Sequence, residues 1–203
     1  MENFRPRIFK ERALAALQGN WKPAAIAGLV FLLLYGATVG LSQLIPVVPA
    51  LFIGVFFAAG FLFVCWDLLK EGKVDLNKLF EPFRDYVRYL IGFLLQTVYT
   101  ILWTMLLIVP GIIKSISYAM MPFILRENPG MTGEQAICLS MKMMEGHKMD
   151  YFLLNLSFIG WALLAVLTLG IGLIWLYPYM YTSYAAFYEE VKKDYATRNT
   201  AAA

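Results

Sequence analysis

Charge is scarce in this chain. Of 203 residues only 15% are Asp, Glu, Lys or Arg, and 60% are hydrophobic. An ordinary soluble domain carries about 25% charged residues, and its core could not hide this much apolar sequence. Cysteine is nearly absent. Cys65 and Cys138 lie far apart and outside any CxxC, which argues against a disulfide framework and a zinc site. A single histidine, His147, and the lack of any HExxH pattern argue against a catalytic metal centre. There is no Walker sequence, no GxSxG and no catalytic carboxylate pair. No cofactor, metal or catalytic residue is therefore expected, and the chain reads as non-enzymatic. Ionisable groups inside apolar runs mark ion and proton paths. Here only Asp67, near the end of one run, and Lys114 come close, which argues against a proton-coupled pump.

What remains is a series of apolar runs near twenty residues, the length that crosses a bilayer core. They predict an all-α, polytopic transmembrane bundle forming one membrane domain over 1–203. The runs are 23–44, 50–69, 89–109, 112–125, 151–167 and 173–188. Pro46 and Pro49 mark the first turn and "TLGIG" the last. The first run is too long for a signal-peptide core and reads as an uncleaved span.

The fourth run carries the topology. In "LLIVPGIIKSISYAMMPFIL" the Pro110–Gly111 pair is read as the outer turn of a hairpin. Residues 112–125 then cross, though about fourteen residues at about 1.5 Å each cover only about 21 Å. With six crossings and both termini inside, sixteen of the seventeen Lys and Arg residues fall on the cytoplasmic side, as the positive-inside rule requires. Only Lys114 is left near the outer surface, where it can snorkel. A re-entrant fourth segment would send the 126–150 loop outside, against that rule. The six helices thus form three hairpins. A short echo pairs "PGIIKSISYAM" with "IGLIWLYPYMY", aligning Gly111 with Gly172 and Tyr118 with Tyr179.

Two segments flank the spans. Residues 1–22 form a basic amphipathic stretch suited to an anionic membrane surface. Residues 131–148 predict a cytoplasmic amphipathic helix, capped by Thr132 with Gln135 three residues on and ended near Gly146. Its Met-lined face reads either as a partner-binding surface or as a connector packed on the bundle.

Candidate contacts to lipid or a partner follow. "EGHK" places Glu145, His147 and Lys148 together, for a headgroup or simply at a helix end whose dipole favours cations. Lys114 could meet an anion or phospholipid headgroup. Tyr177, Tyr181, Tyr184 and Tyr188 recur every three or four residues and share one helical face. That stripe reads as a groove for an amphiphile or as interhelical packing. Pro178 should free the carbonyl of Ile174. Gly36 and Gly40, with Gly54 and Ala58, are spaced for close helix approach, within the first hairpin or in a homo-oligomer. Gln96, Thr97, Thr100 and Thr104 make the third run mildly polar.

Two functions stand. One is a non-enzymatic membrane protein engaging anionic lipids, or a membrane-protein partner, through its cytoplasmic face. The alternative is a small transporter or channel-like permeation protein. Nucleic acid is not an expected partner, because topology accounts for the basic residues.

"RALAALQGNW", the block "VPGIIKSISYAMMPFILRENPGMTGEQAICLSMKMMEGHK", "LSFIGW" and "IGLIWLYPYMYTSYAAFYEE" together resemble the bacterial integral membrane family named domain of unknown function 975. That family is similar in outline to the membrane domains of some glycerophosphodiester phosphodiesterases. The resemblance implies a multi-pass bundle in the bacterial cell (inner) membrane and carries over no catalytic residue.

Overall fold

The computed structural model describes residues 5–42 and 48–201, helices joined by turns and short irregular links with no strand among them. The helices are α1 (Pro6–Leu17), α2 (Trp21–Ser42), α3 (Val48–Glu71), α4 (Glu81–Arg84), α5 (Tyr86–Leu106), α6 (Ile108–Ser117), α7 (Met121–Glu127), α8 (Gly133–Met143), α9 (Lys148–Leu156), α10 (Ile159–Leu167) and α11 (Leu173–Ala201), with a 3-10 segment at Leu76–Phe80. The expected turn at Pro46 lies outside the described residues, and Pro49 falls in the first turn of α3, where a missing N–H costs nothing.

The chain divides into two compact units, Met1–Arg84 with Leu154–Ala186, and Asp85–Leu153 with Phe187–Ala203. In the first, α2 and α3 pack through stacked rings of Phe31 and Phe61, 4.7 Å between centroids. Ala27, Phe57, Val64 and Leu79 complete that core. The 3-10 segment is held against α3 because Gly60 has no side chain: a Cβ there would lie 2.1 Å from the carbonyl oxygen of Leu79. Gly54 packs on Tyr35 and Thr38, whereas a Cβ on Gly36 or Gly40 would meet nothing within 4 Å. The Gly36/Gly40 pair therefore does not close the first hairpin. Helix α1 also departs from expectation. Phe9, Ala13 and Leu17, one residue per turn, are fully buried in the protein, so this stripe is not free to lie on a membrane.

The reversal between α10 and α11 is built by polar atoms from within. Thr168 Oγ1 donates to the Ala165 carbonyl at 2.7 Å and accepts the Gly172 N–H at 2.9 Å. Leu169 stands at φ 54° and Gly170 at φ 85°. Pro178 lies inside α11, as expected. Gly28 of α2 comes up against the carbonyl it frees: a Cβ there would be 2.7 Å from Ile174 O.

In the second unit the chain reverses between α5 and α6, but not where the sequence suggested. The break is a single extended residue, Leu107, at φ −160° and ψ 138°. Pro110 and Gly111 lie inside the first turn of α6. Pro is tolerated there because the first N–H groups of a helix have no partner to lose. Gly111 is needed for another reason: a Cβ would meet Thr104 Oγ1 at 2.2 Å. The expected helix over 112–125 is also interrupted. The turn Tyr118–Met120 separates α6 from α7, and α8 clasps it. Ser140 Oγ donates to Ser117 O at 2.7 Å and accepts the Met120 N–H at 3.2 Å.

Among the described residues, five helical stretches are long and apolar enough to cross a membrane: Trp21–Gly40, Ile53–Glu71, Tyr86–Leu106, Ile108–Glu127 and Lys148–Leu167. The expected sixth, 173–188, is not among them, because the apolar part of α11 stops at Glu189.

Candidate functional site

Helix α8 forms as its sequence predicts. Thr132 Oγ1 accepts the Gln135 N–H at 3.3 Å, and Gln135 Oε1 accepts the Thr132 N–H at 2.9 Å. Gly146 takes φ 86° after its end. Ala136, Ile137, Ser140, Met143 and Met144 are buried, while Glu134, Gln135, Lys142 and Glu145 are exposed. A Cβ on Gly133 would sit 2.7 Å from the backbone of Gly92. The apolar face thus packs on α5 and α7, as the connector reading expects.

Beside α8, the second unit holds a cleft of about 440 Å³ lined by Glu127, Asn128, Leu139, Tyr188, Lys192 and Tyr195 among others. Its polar centre is the Glu127 carboxylate. Tyr188 donates to one oxygen at 2.8 Å and Lys192 to the other at 2.5 Å. The Tyr188 ring lies stacked on Phe123, 4.5 Å apart. The negative charge of Glu127 is met by Lys192, so the cleft offers a neutral set of donors and acceptors with a hydrophobic floor. Such a lining suits the polar end of an amphiphile.

A second cluster sits near the end of α8. His147 Nε2 lies 2.9 Å from Asp194 Oδ2 and His147 Nδ1 3.6 Å from Asp150 Oδ2. Arg198 Nε reaches the same Asp194 oxygen at 2.7 Å. Its other nitrogens donate to the carbonyls of Glu145 at 3.0 Å and Met143 at 3.3 Å. The His147 hydrogen bond, then Arg198, holds the Asp194 carboxyl below its ordinary range. Among the described residues no group of three or more His, Cys, Asp and Glu is placed to hold a metal ion.

The expected contact residues divide accordingly. His147 is spent on Asp194, and Glu145 contributes its carbonyl to the same latch. Lys148 begins α9. Tyr177 and Tyr181 close on Phe31 and Phe61 in the first unit. Tyr184 donates to Asn155 Oδ1 at 2.9 Å. The stripe therefore packs, and Tyr188 also lines the cleft. Lys114 lies 4.9 Å over the Trp103 ring, with its amine 3.9 Å from Met141 Sδ. That contact with α8 is not expected of a residue at an outer surface. Asp67 stands 4.0 Å from Lys78. Glu127, Lys192, Asp194 and Arg198 were not singled out from sequence. The only local signal was the acid–base spacing of Asp194 and Arg198, one turn apart.

The first unit holds an apolar groove of about 450 Å³ between α1, α10 and α11, lined by Trp21, Trp161, Trp175 and Tyr179 among others. The Lys10 amine lies 6.0 Å from the ring of Tyr179, 3.2 Å from Ser157 O and 4.7 Å over the Phe158 ring. Burial pushes its pKa down.

Among the described residues the protein is all-helical, with five stretches long and apolar enough to cross a membrane. Residues 104–195 match the model of the family described as "Protein of unknown function (DUF975)". No curated protein matches the chain, and no solved structure does.

Proposed function

We propose that this chain is a non-enzymatic integral membrane protein of the bacterial cell membrane that engages anionic lipid through its cytoplasmic face. Both termini, α1, the 70–88 loop and α8 lie on that face in this reading, with the apolar hairpins in the membrane. The observation that carries it is the placement of the basic residues along the sequence: they stand before, between and after the apolar hairpins, and the turns at 107 and 168–172 carry none. Arg5 before α1, Arg7 on it, Lys73 and Arg84 after α3, and Lys142 on α8 are exposed. Headgroups of anionic lipids gather at such residues. Within the second unit, the cleft around Glu127, Tyr188 and Lys192 would give one headgroup a defined seat.

Purification in mild detergent followed by mass spectrometry of retained lipid tests the reading. Enrichment of anionic over zwitterionic lipid is expected, and it should fall with Arg7→Ala combined with Lys142→Ala. A protein that retains no lipid preferentially and brings down no partner would overturn it. The permeation alternative gains little, because the hydroxyls of Thr97 and Thr104 bond their own helix at Phe93 O and Thr100 O.

A further inference from the structure

We infer that two of the apolar hairpins, α5–α6 and α10–α11, enter only one leaflet of the membrane and turn back at its midplane. The partner of each tip is the acyl-chain region of the cytoplasmic leaflet. The inference rests on the membrane reading above and replaces four of its crossings.

Contacts along the second unit's hairpin set its depth scale. Arg88 donates to Asn128 O at its base. Gly92 faces Leu125 and Met121, and Gly111 faces Thr104 near the tip; between them Tyr99 meets Tyr118. Helix α8 climbs beside it. It starts with Gly133 against Gly92, reaches Ser117 and Met120 with Ser140, and meets Lys114 with Met141. The outward side of α8 carries exposed Glu134 and Lys142, and the turn after it exposed Glu145; charged side chains are costly in hydrocarbon. The hairpin up to about Ser117 is therefore outside the acyl-chain region. What remains above it is residues 98–106 and the ten residues of α6, about 14–15 Å of helix. One leaflet contributes about half of a core about 30 Å thick. The tip has the surface of a membrane-embedded element: Met105 is 81% exposed, and Leu106, Leu107, Ile108 and Val109 are each more than half exposed.

The other hairpin repeats the design within the first unit. A polar helix again marks the boundary: Lys10 of α1 holds Ser157 O and Phe158, while Arg7 and Glu11 of α1 are exposed. Above it stands α10, nine residues long, or about 14 Å. Leu167 at its end is 79% exposed and Leu169 in the turn 94%. A leucine at φ 54° with its whole side chain exposed suits an apolar solvent and little else. The close approaches match as well. Gly111 packs on Thr104 and Gly172 on Ala165, each seven residues back, at the positions the sequence echo aligned.

The positive-inside rule is blind to this choice. A hairpin that crosses twice and a hairpin that turns back leave their flanking loops on the same side. The rule rejected a re-entrant fourth segment alone, not a re-entrant pair. The pair also removes the one exception. Lys114, three residues above Ser117, now reaches toward cytoplasmic headgroups beside α8, and all seventeen basic residues lie on one side.

Single cysteines in the full-length chain with Cys65→Ala and Cys138→Ser test the inference in sealed vesicles of known orientation. Leu107→Cys and Leu167→Cys report the tips, with Met105→Cys in place of any tip variant that fails to accumulate as a monodisperse, helical protein. Lys142→Cys reports the charged face. The tip positions should resist a membrane-impermeant maleimide from both sides and react in detergent. A nitroxide on them should be relaxed strongly by oxygen and weakly by a water-soluble nickel chelate, as at a bilayer centre. Tips labelled from the face opposite Lys142→Cys would overturn the inference and leave the membrane reading standing with full crossings. A nitroxide shielded from oxygen as well would overturn it by showing tips packed in protein. Tips labelled from the same side as Lys142→Cys, on a chain that alkaline carbonate strips from vesicles, would overturn both.

Discussion

Ser140 and Ser117 are joined by a buried hydrogen bond of 2.7 Å from hydroxyl to carbonyl. The same hydroxyl takes the Met120 N–H, so one side chain serves both backbone groups left open where α6 stops and α7 begins. Removing it leaves a buried donor and acceptor without their partner, at a cost of about 1–3 kcal/mol each. Ser140→Ala is expected to lower stability by about that amount, read from reversible denaturation in detergent. A neutral Ser140→Ala would mean the turn is held by packing alone.

The Glu127 carboxylate has two partners of unequal worth. Tyr188 is fully buried, and a hydrogen bond to a charged acceptor contributes about 1.5–3 kcal/mol. Lys192 is 45% exposed, and exposed ion pairs contribute less than about 1 kcal/mol. Tyr188→Phe should therefore destabilise more than Lys192→Met. The two single variants and the double one, denatured side by side, give the coupling. If Lys192→Met costs more, the cleft is drier than its exposure implies.

Four glycines make a matched test of close approach. Gly111→Ala would press a methyl to 2.2 Å from Thr104, and Gly172→Ala to 2.9 Å from Ala165. Overpacking of this kind costs about 1–3 kcal/mol. Gly36→Ala and Gly40→Ala meet nothing within 4 Å, and replacing a helical Gly gains up to about 1 kcal/mol. Thermal unfolding of the four variants should split them into two destabilised and two unchanged or stabilised.

What the sequence showed and what it hid follow from the range of the interactions. The cap of α8 was legible because Thr132 and Gln135 are three residues apart, and Gly146 because a left-handed residue after a helix has few candidates. The hairpin at 107 was legible as a reversal, since Pro-Gly punctuates the run. Its position was not, because Pro110 and Gly111 are as content in a helix's first turn as in a loop. The Glu127 site was hidden: Tyr188 and Lys192 arrive from about sixty residues away, and no local pattern links them. The fate of α1 was hidden too. An apolar stripe says that a face will be covered, and does not say whether lipid or α3 covers it.

Acid should release the last turns of α11. Asp194 is held below the ordinary carboxylate range by the hydrogen bond from His147 and then by the Arg198 charge. A carboxyl whose folded pKa is depressed adds stability at pH above its unfolded value, about 3.9, and loses it as pH falls through the lower folded value. The latch joining Asp194 to His147 and Arg198 is therefore expected to hold from neutrality down to about pH 4 and to open below it. Hydrogen exchange at residues 194–201, followed against pH, should show protection lost in that acid window. Asp194→Asn should show low protection at every pH. A wild-type profile that stays flat down to pH 3, or an Asp194→Asn profile that still falls in the window, would remove this carboxyl from the latch.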